Sequence, residues 1–81
     1  MIEWPLLSEK AIGLIESENK IVFIFPTNVT KKEIKEHIEK KYAVRVKEVN
    51  TLNSMKGFKK AFVKLDSSFK ASDLAAKLKI I

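Results

Sequence analysis

VNTLNSMKGFKKAFVK, residues 49–64, predicts a β-hairpin, because a short polar loop separates two segments with strand character. The incoming strand is expected over Val44–Leu52, the loop over Ser54–Phe58 and the return strand over Lys59–Leu65. The return strand has one apolar face and one mixed face: Ala61, Val63 and Leu65 against Lys60, Phe62 and Lys64. In the incoming strand the alternation changes phase, which predicts a β-bulge near Lys47–Glu48.

Upstream of the hairpin, one segment has helical periodicity and another has strand composition. Thr30–Lys41 is predicted to be a helix, since Thr30 and Glu33 form a capping box at its start. An apolar stripe follows at spacings of four residues: Ile34, Ile38 and Tyr42. Lys20–Phe25 is a continuous run of β-forming residues, which is typical of a strand in the interior of a sheet.

Two shorter helices are predicted at the ends of the chain. Ser8 is a candidate N-cap for the first helix, which should end in a turn over Glu16–Asn19. The last helix follows Ser67–Ser72 and presents Leu74, Ala75 and Leu78 inward. The element order is α-β-α-β-β-α, and the return strand can insert between the other two. We therefore expect an α+β fold: a small antiparallel sheet in a split β-α-β (ferredoxin-like) arrangement, with helices packed on the sheet.

Length and composition indicate one domain over residues 1–81. The absence of cysteine excludes a disulfide framework and a zinc ribbon. No apolar stretch reaches the roughly 20 residues of a membrane span, and no basic leader precedes the first helix. We expect a cytoplasmic protein with no membrane insertion.

The net charge of +6 is distributed unevenly along the chain. Residues 1–30 carry −2, residues 31–65 carry +7 and residues 66–81 carry +1. This distribution favours one polyanion-binding surface in the middle of the chain and leaves an acidic region for another role. Lysine-rich surfaces are also common where they only solvate a protein, so charge alone does not decide between these interpretations.

Residues that could carry catalysis are missing. His37 is the single histidine, and the two glycines, Gly13 and Gly57, cannot form a phosphate-cradling loop. No serine lies in a nucleophile-elbow context. We expect a protein that is not an enzyme and that uses no cofactor and no metal.

The hairpin instead carries side chains suited to contact with nucleic acid. Lysines neutralise phosphates, and amides and hydroxyls meet phosphate and 2′-OH oxygens. The residues concerned are Asn50, Thr51, Asn53, Ser54, Lys56, Lys59, Lys60 and Lys64. A polar hairpin with solvated lysines is the alternative. Phe58 could stack on a base or pack at the loop edge, and Trp4-Pro5 could anchor the N-terminus or insert into a pocket of RNA or protein.

Four sequence blocks resemble the universal large-subunit ribosomal protein twenty-three family. Pro5–Ala11 (PLLSEKA) is similar to its N-terminal signature, and Thr30–Lys35 (TKKEIK) follows the first strand. A later strand runs into Val49–Thr51, and the chain continues with Gly57–Leu65 (GFKKAFVKL). The order and spacing of the blocks match over nearly the whole chain.

The resemblance implies a primary rRNA-binding protein at the rim of the polypeptide exit tunnel, located in the ribosome. It implies rRNA contacts at the start of the first helix and in the hairpin: Ser8, Lys10, Asn50, Thr51, Asn53, Lys56, Lys59 and Lys60. Neighbouring large-subunit proteins, signal recognition particle and the translocon are the implied protein partners, with Glu9 in the docking surface of bacterial members. The hairpin loop here is short, similar to the archaeal type, whereas bacterial members have a long basic extension in the hairpin that reaches into the tunnel.

Two further assignments come from the charge distribution and from the alternatives to ribosomal function. Glu16 and Glu18, with Glu9, could form an exposed acidic patch that meets basic targeting factors, or they could be solvated helix-end charges. A stand-alone ferredoxin-like RNA-binding module and a protein-interaction adaptor without nucleic acid remain as alternative functions.

Overall fold

A computed structural model of the chain describes residues 4–6, 8–26, 28–55 and 57–78. The described chain forms three helices and four strands. In chain order they are β1 (Trp4–Pro5), α1 (Glu9–Glu18), β2 (Lys20–Pro26), α2 (Lys31–Tyr42), β3 (Val46–Met55), β4 (Phe58–Leu65) and α3 (Ala71–Lys77).

The four strands make one antiparallel sheet in the order β1-β2-β4-β3. The return strand β4 therefore lies between β2 and β3, which confirms the predicted split arrangement. The strand register aligns residues of the three long strands in cross-strand rows. In one such row, Val22 of β2 and Asn50 of β3 both lie opposite Phe62 of β4. The α+β fold class is confirmed, with β1 as an addition at the sheet edge.

The core lies between one face of the sheet and the helices. Its sheet side is formed by alternate residues of β2 and β4, which are almost completely buried: Ile21, Phe23, Phe25, Ala61, Val63 and Leu65. The helices contribute Ile15, Ile34, Ile38, Ala71, Leu74 and Ala75. Ile34 and Ile38 confirm the predicted stripe of α2, whereas Tyr42 is only partly buried and stacks on Phe23. No described polar side chain is buried, so the core is entirely apolar.

The ends of the helices follow their local sequence. Thr30 and Glu33 form both hydrogen bonds of the capping box at the start of α2. At the end of α1, Asn19 adopts the left-handed conformation (φ 57°, ψ 37°), and its backbone N–H donates to the Leu14 carbonyl. This C-cap continues α1 through Glu18, so the predicted turn over Glu16–Asn19 is largely the last turn of the helix.

The hairpin is tighter than its sequence suggests. β3 continues to Met55 and β4 begins at Phe58, so the strands extend into the expected loop. Gly57 has φ +85°, a conformation that glycine adopts without steric cost. The predicted bulge is confirmed by a register shift between Val46 and Glu48, and a second shift follows between Asn53 and Met55. Lys56 falls outside the described residues.

Candidate nucleic-acid interface

The sheet face opposite the core is the candidate interface, and we refer to it as the open face. Three cross-strand rows define it: Ile24–Lys60–Leu52, Val22–Phe62–Asn50 and Lys20–Lys64–Glu48. Leu52 is 60% exposed, which is unusual for so large an apolar side chain within a strand. The open face thus combines lysines, an amide and partly uncovered apolar groups.

The start of α1 meets the open face at a depression of about 180 Å³, which we call the notch. Six of the residues that line it are Ser8, Lys10, Leu14, Leu52, Lys60 and Phe62. Ser8 is held there as the N-cap of α1, since its Oγ accepts a hydrogen bond of 3.1 Å from the Ala11 N–H. The notch brings together two groups of predicted rRNA-binding residues that lie some fifty positions apart in sequence.

The open face does not hold every predicted binding residue. By register and strand alternation, Thr51, Asn53 and Lys59 point to the helix-covered side of the sheet. The Lys59 Nζ donates a 2.6 Å hydrogen bond to the Val29 carbonyl before α2, which gives this lysine a structural partner. The predicted cluster is therefore divided between two faces.

Asn50, Lys60 and Lys64 lie on the open face. The Asn50 Nδ2 donates to the Glu48 Oε1 at 2.7 Å, which orients the amide along β3. Glu48 lies directly opposite Lys64 across the strands, so this carboxylate reduces the positive charge at that row. Toward the notch, the described lining residues include Lys10 and Lys60 and no carboxylate. On the open face, positive charge is therefore less compensated at the notch than at the row of Glu48 and Lys64.

Two aromatic side chains, Trp4 of the edge strand β1 and Phe58 at the start of β4, form a pair on the open face. Trp4 is opposite Ile24 in the sheet, and its ring makes an edge-to-face contact with Phe58 at a centroid distance of 5.7 Å. Pairing with β2 attaches the N-terminal segment to the domain, yet Trp4 remains 47% exposed. The pair extends the apolar surface of the open face beyond Ile24.

The acidic residues of α1 do not form a single patch. Glu9 and Glu16 are seven residues apart, so they differ by only about 20° around the helix and share one exposed stripe. Glu18 lies about 180° from Glu9, and its carboxylate pairs with the Lys20 Nζ at 3.2 Å. The stripe of Glu9 and Glu16 is therefore separate from Glu18, which is also exposed.

Comparison with known proteins decides the family. The family model described as Ribosomal protein L23 matches residues 1–70 of the chain. The chain belongs to the ribosomal protein L23 family. It is 46% identical over 81 residues to the large ribosomal subunit protein uL23 of Pyrobaculum aerophilum, covering 100% of both chains. It is 42% identical over 80 residues to the large ribosomal subunit protein uL23 of Methanococcus aeolicus, covering 99% of this chain and 93% of the relative.

Family membership confirms the resemblance found in the sequence. The match to the L23 family spans all the described strands together with α1 and α2, so it includes both walls of the notch. α3 follows the matched range and is covered by the full-length similarity to the Pyrobaculum relative. Within the described residues, no three potential ligands among His, Cys, Asp and Glu converge as a metal site would require. No helix in that part of the chain has the length and apolar composition to cross a membrane.

Sequence reasoning missed Leu52 and the notch itself. The sequence places Leu52 in a strand but does not show which face of the sheet it lies on, because the bulge changes the alternation of β3. The available signal was the alternation of β4, because a residue paired with Lys60 must share the face of Lys60. For Lys59 the same alternation predicts the core side, since it places this lysine with Ala61 and Val63.

Proposed function

We propose that this L23 family member binds large-subunit rRNA through the notch and the adjoining open face. The observation that carries the proposal is the convergence of Ser8 and Lys10 with Lys60 at the notch. Lysines neutralise phosphates, and hydroxyl and amide groups fix the register of a nucleic-acid backbone. Membership of the family supports a place for the chain in the large subunit of the cytoplasmic ribosome and a structural rather than enzymatic role.

The proposal is tested by removing the two lysines of the notch. Lys10→Ala combined with Lys60→Ala should weaken binding to transcribed large-subunit rRNA. The slope of log affinity against log salt should flatten by up to roughly 0.9 for each phosphate that the variant no longer neutralises, the value known for duplex DNA. The matched control is Lys31→Ala with Lys35→Ala, which removes the same charge from the exposed side of α2. Equal slopes for both double variants would contradict the proposal.

The location at the polypeptide exit tunnel is the second part of the proposal. It rests on the family resemblance, and neighbouring large-subunit proteins at the tunnel exit are the expected contacts. Co-sedimentation with large subunits in high salt should be reduced in the Lys10→Ala, Lys60→Ala variant and retained in the α2 control. Chemical cross-linking of the wild-type chain in the sedimented large subunits should then identify the proteins that neighbour it. Cross-links confined to proteins far from the tunnel exit would contradict this location.

We also propose that the acidic stripe of α1 is a docking surface for factors that meet the nascent chain. Glu9 and Glu16 are exposed and point the same way, so a basic partner would find two carboxylates on one stripe. Signal recognition particle and the translocon are the proposed partners. Glu18 is better explained by its ion pair with Lys20.

Charge reversal separates docking from assembly. Glu9→Lys with Glu16→Lys should leave subunit incorporation near normal and reduce binding of signal recognition particle to reconstituted large subunits. Glu36→Lys reverses an exposed carboxylate on α2 and serves as the control. If incorporation fails in the double variant, the stripe faces rRNA, and the proposed division between the two surfaces is wrong.

A further inference from the structure

The notch is more apolar than phosphate contact alone requires, since most of its lining side chains are hydrocarbon or aromatic. Its volume of about 180 Å³ is comparable to the size of a single planar ring system. Val22 on its sheet wall is only 2% exposed, whereas Leu52 at its border is 60% exposed. The notch is thus a concave apolar site with an accessible mouth.

The notch also has an aromatic wall and a cationic border. Phe62 lies between Val22 and Asn50 in the central row of the open face and is partly exposed. Lys10 reaches the notch from α1, and Lys60 reaches it from β4, so cations from two different elements line it. An aromatic ring in an apolar hollow beside lysines is the arrangement that binds an unstacked base while its phosphates are neutralised.

We propose that the notch receives one unstacked base of a single-stranded rRNA segment. The base packs against Phe62 and Leu14, and the phosphates on either side of it approach Lys10 and Lys60. This inference rests on the proposed function and adds the recognition mode: a flipped base rather than a duplex surface. An apolar side chain from a protein would leave both lysines without an anionic partner, so charge favours the nucleotide.

The probe is a single-stranded oligoadenylate of ten nucleotides with 2-aminopurine at its centre. The fluorescence of 2-aminopurine reports the loss of base stacking within the strand. Binding to the full chain should change that fluorescence. Phe62→Leu, which keeps an apolar side chain but removes the ring, should reduce affinity for the single strand by at least about fivefold, the lower end of base–aromatic stacking. It should leave the salt slope unaltered, because the variant keeps every charge. Phe69→Leu is the matched control, since Phe69 packs against the core on the helix side.

A second variant keeps the inference falsifiable if Phe62→Leu is poorly folded. Leu14→Ala removes the other side chain that packs against the base and should weaken binding of the single strand more than binding of a ten-base-pair RNA duplex. Thermal melting of each variant verifies that the chain is folded at the assay temperature.

The outcomes separate this inference from the proposed function. If Lys10→Ala with Lys60→Ala flattens the salt slope while both notch variants bind the probe like the wild type, the base site is overturned and the rRNA-binding function stands. Equal losses on single strand and duplex also overturn the base site. If the lysine variant behaves like its α2 control on rRNA, the proposed function itself fails. Selective loss on the single strand with an unchanged slope supports the base site.

Discussion

Replacing Asn19 should destabilise the domain more than its partial exposure suggests. Its side chain connects three elements: Nδ2 donates to the Leu65 carbonyl at 3.2 Å and to the Phe69 carbonyl at 2.9 Å. Oδ1 accepts the Ala71 N–H at 2.6 Å, which supplies the hydrogen bond that Lys70, the N-cap of α3, does not make. One amide thereby joins the end of α1 to the end of β4 and to the start of α3.

The expected magnitude follows from these hydrogen bonds. Three hydrogen bonds at about 1 kcal/mol each contribute about 3 kcal/mol to stability. Asn19 also has φ 57°, where an alanine adds about 1 kcal/mol of strain. Asn19→Ala should therefore lower the free energy of unfolding by about 4 kcal/mol. Asn19→Gly removes the same bonds without the strain and should be about 1 kcal/mol less harmful.

Urea unfolding followed by far-UV circular dichroism measures these differences, with an unchanged m-value as evidence for the same folded and unfolded states. Asn28→Ala is the matched control, because Asn28 is an exposed asparagine in a turn, and it should change stability by less than about 0.5 kcal/mol. A loss below about 1 kcal/mol for Asn19→Ala would refute the structural role of the side chain. Equal stability of the alanine and glycine variants would refute the contribution from the left-handed conformation.

Three further outcomes are expected. Ile38→Ala should cost about 2–4 kcal/mol in calorimetry through reduced burial and a residual cavity, since Ile38 is fully buried. Ala43→Gly should raise the melting temperature by about 4–8 °C, because Ala43 ends α2 at φ 54° and glycine removes about 1 kcal/mol of strain. Hydrogen bonds from Ser68 lower the pKa of Asp66, so its contribution to stability is present above roughly pH 4 and is lost as the pH falls through the lowered value. Ser68→Ala should return that pKa toward its ordinary value in an NMR titration.

The elements were predictable from sequence where the signal was local. The capping box of Thr30 and Glu33 marks the start of α2, and the alternation of β4 identifies its buried positions. The short strand β1 was not predictable, because Trp4-Pro5 has no alternation and forms a strand only by pairing with β2. The end of α1 differs from the prediction. Asparagine is common in turns, and the sequence therefore predicted a turn, whereas Asn19 adopts the left-handed conformation and caps the helix.

The candidate site was predictable as a set of residues but not as a surface. Lysines and amides of the hairpin identify the chemistry, yet which of them share a face depends on pairing between strands. The register shift between Val46 and Glu48 changes the alternation of β3, so Asn50 and Thr51 could be placed only after β3 was paired with β4. The notch could not be predicted, because it depends on α1 lying close to residues of β3 and β4 that come about 40 to 50 positions later in the chain. The sequence carries no local signal for that contact.

Alternate residues along β4 point to opposite faces of the sheet, so one set contributes to stability and the other to binding. The odd-numbered Ala61, Val63 and Leu65 lie in the core, whereas the even-numbered Lys60 and Phe62 line the notch. A slip of one residue would exchange the two sets, burying lysines and exposing the core, so register is strongly specified. Exposed positions of the open face can then change for binding at little cost to folding, and its uncovered apolar groups become buried when a partner covers them. In a chain of only 81 residues, this arrangement lets one face of the sheet pack against the helices in the core while the other face binds a partner.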